Sequence, residues 1–215
     1  MSVDFNNPSF PIRKVGKGSK YLVIFMHGYG SDGHDMYGLS NVFDSVLDDA
    51  IWLCPNAPAK TPMGGYQWFG LTDISQRELD TGAEQAGPWI FDFIEAALKY
   101  YNIPAENLII GGFSQGSMMS FYTSLRLETA PAAVLAFSGA LTSEAKLKDD
   151  IKSKPPIFIC HGEADPVVYA SYATRADKVL RDLDVPVETH IFPDYPHTIP
   201  PEGIQAALSF LKENL

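Results

Sequence analysis

The sequence predicts an α/β fold with a mainly parallel central sheet and helices on both of its faces. Short apolar runs alternate along the chain with longer segments in which apolar residues recur at helical spacing. Most of the short runs are apolar throughout, which is typical of strands that are covered on both faces. Together these observations predict successive strand–helix units, with the sheet as the middle layer.

The elements can be placed one by one from the same patterns. Short, largely apolar runs predict strands at residues 21–26, 51–54, 108–111, 133–137, 157–160 and 188–192. Between them, apolar residues at helical spacing predict helices at residues 36–47, 87–101, 117–127, 143–151, 169–183 and 201–211. Pro201 and Glu202 support the start of the last helix. Proline lacks a backbone N–H, but N–H groups in the first turn have no partner within the helix, and the helix dipole favours a negative charge there.

Residues 55–81 form the least regular stretch. They contain several Pro and Gly residues and the aromatic residues Tyr66, Trp68 and Phe69. A loop of this length inside a compact domain is usually functional or disordered, and the aromatic content argues against disorder. Two interpretations remain open: a fixed wall of a substrate groove, or a mobile flap whose aromatic side chains make transient contact with a membrane surface.

Length and composition predict a single domain over residues 1–215. The formal net charge of −10 repels polyanions, so nucleic acid is not expected as a partner. The chain start lacks a signal-peptide pattern, and no apolar run approaches the roughly 20 residues that span a bilayer, so we expect a cytoplasmic protein. Cys54 and Cys160 lie in apolar runs and are expected to be buried and reduced.

Ser114 is a candidate nucleophile. It lies at the centre of a Gly-x-Ser-x-Gly pentapeptide, residues 112–116, between a predicted strand and a predicted helix. Small residues on both sides allow a strained strand-to-helix turn that exposes the serine hydroxyl. The pentapeptide alone also fits a glycine-rich turn that closes a strand, so the assignment depends on partners elsewhere in the chain.

A serine nucleophile needs a general base and a carboxylate that orients the base. In α/β folds with the nucleophile at a strand-to-helix turn, the acid follows the serine along the chain and the histidine follows the acid. Among the histidines after Ser114, only His197 lies in a loop after the last predicted strand. Asp165, in an Asp-Pro turn after the strand at residues 157–160, is the favoured acid. Glu163 is a nearby rival, and Asp194 is a poorer candidate because it lies so close to His197.

The developing oxyanion needs two donors, usually backbone N–H groups. The Gln115 N–H, next to the serine, is one candidate. The Tyr29 N–H is the other, because the turn His27-Gly28-Tyr29-Gly30 directly follows the first predicted strand. A simple tight turn or a phosphate loop is the alternative, and the latter is disfavoured because no Lys and Ser/Thr follow in the required spacing. No metal-binding spacing or dinucleotide fingerprint is present, so no metal and no cofactor are expected.

Five motifs in order resemble the carboxylesterase and acyl-protein thioesterase family of α/β-hydrolases: residues 27–30, 55–58, 111–116, 161–166 and His197. The resemblance implies an α/β-hydrolase fold without a large cap domain, and a triad of Ser114, Asp165 and His197. It also implies Tyr29 and Gln115 as oxyanion donors and an acyl-binding groove near Trp68, whose depth would depend on Trp68 and Val168.

The implied activity is hydrolysis of carboxylic esters or thioesters of small to medium acyl groups through an acyl-enzyme. Acylated proteins and lipids are further implied substrates, and both a monomer and a homodimer fit the family. Two alternatives stay open: a lysophospholipase-type lipid hydrolase, and a non-catalytic binding protein that keeps the same fold. The intact set of Ser114, Asp165 and His197 disfavours the second alternative.

Overall fold

The structure, a computed structural model, describes residue 5 and residues 13–14 and 19–215. The strands are β1 (Arg13–Lys14), β2 (Tyr21–Met26), β3 (Ala50–Leu53), β4 (Ala59–Lys60), β5 (Tyr66–Gln67), β6 (Leu108–Phe113), β7 (Ala133–Phe137), β8 (Ile157–Gly162) and β9 (Val187–Phe192). The helices are α1 (Gly33–Ser40), α2 (Asp44–Leu47), α3 (Gln76–Tyr101), α4 (Gln115–Ser124), α5 (Glu144–Asp150), α6 (Ser171–Asp182) and α7 (Pro201–Asn214).

Over the described residues the main sheet has seven strands in the order β1-β3-β2-β6-β7-β8-β9, and β4 pairs with β5 in a separate hairpin. β1 runs antiparallel to β3, whereas the pairs from β3 across to β9 are all parallel. The carboxyl ends of the six parallel strands therefore meet at one edge of the sheet, where α/β proteins build their sites. This confirms the predicted α/β architecture with a mainly parallel sheet.

The sheet is covered on both faces because successive strand residues point to opposite sides. Leu22 and Ile24 of β2 pack into an apolar cluster with α3 and α4. Val23 and Phe25 of the same strand pack into a second cluster with α1, α2 and α7. Since both faces are dry, the central strands need apolar residues at nearly every position, as β2 and β7 show, whereas the edge strand β9 carries Glu188, Thr189 and His190.

Three predicted segments differ most from the structure. Residues 36–47 form two helices rather than one, and the turn between α1 and α2 lets buried Phe43 pack on Trp52 at 5.7 Å between ring centroids. The helix predicted to begin at residue 87 begins at Gln76, because Ser75 caps it by accepting from the Glu78 N–H. The loop predicted over residues 55–81 thus contains the β4–β5 hairpin and the first turns of α3.

Cys54 and Cys160 are both buried and unpaired, as expected. Burial raises the pKa of each thiol to about 12, so both are protonated at neutral pH and poor nucleophiles. None of the helices formed by the described residues combines the length and the hydrophobicity needed to cross a membrane.

Candidate active site

Ser114 occupies the sharp turn between β6 and α4, at the carboxyl edge of the sheet. Its backbone lies at φ 54° and ψ −117°, a conformation that L-residues seldom adopt and that costs of order 1–3 kcal/mol. The turn is held because the Ser114 N–H donates to the Phe137 carbonyl oxygen of β7 at 2.9 Å. It also requires glycine at position 116, since a Cβ on Gly116 would overlap the Met26 carbonyl oxygen. The strain therefore presents the serine side chain at the sheet edge.

His197 stands between Ser114 and Asp165 in a hydrogen-bonded chain. Its Nδ1 lies 2.6 Å from Asp165 Oδ2, and its Nε2 lies 3.0 Å from Ser114 Oγ. Because a carboxylate only accepts, Nδ1 carries the ring hydrogen and donates it to Asp165. Nε2 of the neutral ring is then an acceptor for the Ser114 hydroxyl. This arrangement can remove the serine proton and stabilise the imidazolium that results.

The carboxylate of Asp165 is buried and held at both oxygens. Oδ1 accepts from the N–H groups of Val167 and Val168 at 2.8 and 2.9 Å. Oδ2 also lies 3.3 Å from Nε2 of buried His161, and that nitrogen donates to the Val168 carbonyl oxygen at 2.7 Å. Burial lowers the pKa of His161, which keeps its ring neutral at pH 7. His161 thus fixes the loop that carries Asp165 without adding a charge.

The loop that carries His197 is tied to its neighbours on two sides. The Ser138 hydroxyl, at the end of β7, donates to the Thr198 carbonyl oxygen at 3.1 Å. The Ala164 N–H, beside Asp165, donates to the Tyr195 carbonyl oxygen at 3.1 Å. These bonds set the distance between the His197 ring and Asp165. Neither contact has a sequence signature, because each joins loops that follow different strands.

The other carboxylates considered from the sequence are placed differently. Glu163 lies in the same loop as Asp165, but its side chain is exposed. Asp194 is exposed as well, at a positive φ of 64°. The structure therefore brings Asp165 to His197, and neither rival forms the 2.6 Å contact with Nδ1.

Buried His27 supports the turn that follows β2. Its Nδ1 donates to the Gly28 carbonyl oxygen at 2.7 Å, and its Nε2 accepts from the Ala57 N–H at 3.0 Å. Burial lowers the pKa of His27, and the two contacts require the neutral ring with hydrogen on Nδ1. His27 thereby joins this turn to the segment after β3.

The turn supported by His27 lies directly against the serine. A Cβ built on Gly28 would stand 3.3 Å from the Ser114 Cβ. Tyr29 therefore directly follows a residue whose backbone lies close to the serine. Gln115 is the first residue of α4, and its N–H has no acceptor within its own helix. The two N–H groups predicted as oxyanion donors are thus carried by turns that adjoin Ser114.

The β4–β5 hairpin is hydrogen-bonded to the turn that contains Tyr29. The Gly30 N–H donates to the Tyr66 carbonyl oxygen, and the Tyr66 N–H donates to the Ser31 carbonyl oxygen, both at 2.8 Å. Gly65 packs so closely that a Cβ there would overlap the Gly30 carbonyl oxygen. The position of this turn therefore depends on a glycine at position 65.

We expect Gly65→Ala to lower kcat for a p-nitrophenyl ester by about 10²-fold, the scale of losing one oxyanion donor. The added methyl group must push the Gly30 turn aside, which displaces the Tyr29 N–H. The matched control is Gly64→Ala, because Gly64 also has a positive φ but a Cβ there meets nothing within 4 Å. Both variants lose roughly 1–2 kcal/mol of stability from left-handed backbone strain. Equal activity of the two variants would contradict this role of Gly65.

The side chain of Gln115 holds the aromatic segment that contains Trp68 and Phe69. Its Oε1 accepts from the Trp68 N–H at 2.9 Å, and its Nε2 donates to the Phe69 carbonyl oxygen at 2.8 Å. The Trp68 indole N–H donates to the His27 carbonyl oxygen at 2.8 Å. From the sequence, Gln115 was predicted to contribute only its backbone N–H, as an oxyanion donor. The buried amide side chain is a further positioning group, which no sequence pattern marks.

This anchoring favours the groove wall over the flap that meets a membrane. Trp68 and Phe69 are only 4% and 5% exposed, and they pack in the apolar cluster under α3. The Phe69 ring fills the space that a Cβ on Gly82 of α3 would need. Of the three aromatic residues, only Tyr66 is partly exposed. Trp68 and Phe69 therefore form part of a packed wall in this structure.

Trp68 and Val168 lie beneath the surface on which substrate contacts were expected. Val168 is 2% exposed and belongs to the same apolar cluster as Trp68. Its neighbour Val167 is 45% exposed instead. The Asp165 side chain accepts from the backbone N–H groups of both residues. Trp68 and Val168 therefore support the walls of the site from behind.

Two cavities have walls that include His197 or residues next to Asp165 in the chain. The first, called the Val167 cavity, holds about 530 Å³ and is lined by Ile74, Pro166, Val167, Tyr169 and Tyr172. The second, called the Asp35 cavity, holds about 300 Å³ and is lined by Asp35, Met36 and Leu39 of α1, by Phe113 and by residues 197–199. The Val167 cavity adjoins Asp165 through Pro166, whereas His197 is itself a wall of the Asp35 cavity.

Among the described residues, no group of three or more His, Cys, Asp and Glu side chains is arranged to hold a metal ion.

Comparison with known proteins places these features in a family. The family model described as phospholipase/carboxylesterase matches residues 7–215. The acyl-protein thioesterase 1 of Neurospora crassa is 30% identical over 217 residues, covering 90% of this chain and 86% of that protein. The crystal structure of esterase PE8 has a TM-score of 0.92 and 34% identity, covering 96% of this chain and 99% of that one.

A more distant structure shares the fold. The Bacillus cereus carboxylesterase has a TM-score of 0.78 at 16% identity, with coverage of 98% of this chain and 97% of that chain. The architecture is therefore the α/β-hydrolase fold in which such esterases are built.

Proposed function

Because this chain belongs to the phospholipase/carboxylesterase family of α/β-hydrolases, we propose that Ser114, His197 and Asp165 are its catalytic triad. The protein is a hydrolase of carboxylic esters and thioesters. The observation that supports the residue assignment is the hydrogen-bonded chain from Ser114 Oγ through His197 to Asp165, with distances of 3.0 and 2.6 Å. The buried thiols, with pKa values of about 12, offer no competing nucleophile.

In the first half-reaction the Ser114 oxygen attacks the acyl carbonyl carbon while Nε2 of His197 removes the hydroxyl proton. The carbonyl oxygen becomes an oxyanion, for which the N–H groups of Tyr29 and Gln115 are the proposed donors. As the tetrahedral intermediate collapses, Nε2 returns the proton to the leaving oxygen or sulfur. The products are a free alcohol or thiol and an acyl-serine ester.

In the second half-reaction a water molecule takes the place of the leaving group. His197 removes a proton from the water as its oxygen attacks the acyl-serine carbonyl, and then protonates Ser114 Oγ when the new carboxylic acid leaves. Asp165 stays ionised throughout and stabilises the imidazolium in both halves. His161 and Ser138 act only by positioning Asp165 and His197.

We assign the acyl chain to the Val167 cavity. Pro166 and Val167 of its wall follow directly after Asp165 in the chain, and its aromatic and aliphatic lining suits an alkyl group. Its volume of about 530 Å³ lies within the range typical of small-ligand sites. Because curated relatives are named acyl-protein thioesterases, we extend the proposal to thioester-linked acyl groups on proteins.

Filling the Val167 cavity should select against long acyl chains. We expect Val167→Trp to lower the ratio of kcat/KM for p-nitrophenyl octanoate over p-nitrophenyl acetate by about tenfold, in line with pocket effects of a few methylene groups. The control is Val42→Trp, because Val42 is also 45% exposed but lies in the turn between α1 and α2.

Two outcomes would contradict different parts of the proposal. If wild-type protein hydrolyses neither ester, the proposed function is wrong. If both esters are hydrolysed and Val167→Trp lowers them equally, the acyl chain does not occupy the Val167 cavity.

A further inference from the structure

The Asp35 cavity has no role in the acyl-binding step. We propose that it binds the leaving group of the ester or thioester, and that Asp35 makes it select leaving groups that carry a small organic cation. This inference rests on the proposed function of Ser114 and His197. It concerns the alcohol or thiol side of the substrate, which the triad alone leaves unspecified.

His197 forms part of the lining of the Asp35 cavity. Nε2 must protonate the leaving oxygen or sulfur, so the leaving group departs alongside the imidazole ring. The His197 ring is a wall of the Asp35 cavity, and the next two residues of its loop line the cavity as well. The lining also includes Phe113, which precedes the nucleophile and packs on the His197 ring at 4.8 Å between ring centroids.

The lining of the Asp35 cavity indicates which kind of group it can bind. Met36, Leu39, Phe113 and Ile199 give it apolar walls, and Asp35 is the single charged side chain among its lining residues. Lysine and arginine are absent from the described residues that line it. An apolar hollow with one carboxylate matches an alkylammonium group, because the alkyl part is desolvated and the cation faces the acid. An anionic leaving group would meet repulsion from Asp35 and from the net charge of −10.

The two acidic residues at the start of α1, Asp32 and Asp35, differ in their hydrogen bonds. Asp32 is the N-cap of α1, since its Oδ1 accepts from the His34 and Asp35 N–H groups at 2.8 and 3.3 Å. Asp35 accepts from the Ser31 hydroxyl through Oδ2 only. Among the residues that the structure describes, its Oδ1 has no hydrogen-bond donor. Asp35 is exposed, so this oxygen is available to a ligand in the cavity.

The test uses two thioesters that share the butyryl group and the leaving sulfur atom. One is butyrylthiocholine, and the other is S-(3,3-dimethylbutyl) thiobutyrate, in which a carbon replaces the charged nitrogen. We expect wild-type protein to prefer the cationic thioester in kcat/KM by about fivefold, the upper scale of an exposed charge pair. The preference should shrink when NaCl is raised from low to high concentration, because salt screens such a pair.

Asp35→Asn keeps an acceptor for Ser31 and removes the charge. We expect it to lower kcat/KM for the cationic thioester about fivefold and to leave the neutral thioester within about twofold. Asp48→Asn is the matched control, because it removes the same charge from an exposed residue just after α2. It should leave the preference intact.

The outcomes separate this inference from the proposed function. If neither thioester is hydrolysed, the proposed function fails. If both are hydrolysed without a preference for the cation, or if Asp35→Asn lowers both equally, the cavity does not select a cationic leaving group. An equal loss of preference in Asp48→Asn would also overturn the inference, because the net charge and not Asp35 would be responsible.

Discussion

Ser114→Ala is expected to lower kcat for p-nitrophenyl butyrate by roughly 10⁵-fold or more while KM stays within a few-fold, as for removal of an essential nucleophile. The variant loses only the oxygen that lies 3.0 Å from His197 Nε2. The backbone of the turn should persist, because the bond from the residue 114 N–H to the Phe137 carbonyl oxygen needs no side chain. Steady-state kinetics on folded protein, checked by thermal unfolding, measure the effect.

The control for this variant lies three residues further along the chain. Ser117 is also buried in α4, and its hydroxyl has no hydrogen-bond partner among the described residues. Ser117→Ala should therefore keep activity within about twofold and should not lower the melting temperature, because no satisfied hydrogen bond is lost. If Ser114→Ala retained more than about one hundredth of wild-type turnover, the assignment of the nucleophile would be wrong.

Asp165→Asn is expected to lower kcat by roughly 10³- to 10⁴-fold without unfolding the protein. The amide oxygen can keep the bonds from the Val167 and Val168 N–H groups, which places the NH₂ group against His197 Nδ1. His197 must then present Nδ1 as an acceptor and carry its hydrogen on Nε2. That hydrogen points at Ser114, so the ring cannot accept the serine proton.

The matched control for this variant is Asp194→Asn. Asp194 lies in the same loop as His197, is exposed, and has a φ of 64°, a region in which asparagine is well tolerated. We expect kcat/KM within about twofold of wild type. A similar loss of activity in both variants would mean that the carboxylate of Asp165 has no special part in orienting His197.

The strands were predictable because a strand covered on both faces must be apolar at nearly every position. β2 and β7 have the predicted bounds, and the other predicted strands differ from the observed ones by one or two residues at an end. β1 was not predicted, because two residues that pair antiparallel at the sheet edge carry no pattern. The start of α3 depended on the local cap by Ser75 and Glu78, which periodicity does not detect.

The site was predictable where its chemistry imposes an order along the chain. Ser114, Asp165 and His197 follow β6, β8 and β9 of one sheet, so their order and their loops select them from the other Ser, Asp and His residues. The supporting contacts are different in kind. The Gln115 amide, the His161 ring and the Ser138 hydroxyl each find their partners in another loop. Only the packed structure brings those loops together, and it also turns Trp68 and Val168 inward.

The most direct measurement is the site at which the enzyme becomes acylated or phosphonylated. We expect a fluorophosphonate probe to add one equivalent to the intact protein, and peptide mapping by mass spectrometry to place it on Ser114. Ser117→Ala should label like wild type, whereas Ser114→Ala should remain unlabelled. Stoichiometric labelling of another residue, or none in protein that hydrolyses p-nitrophenyl butyrate, would contradict the account.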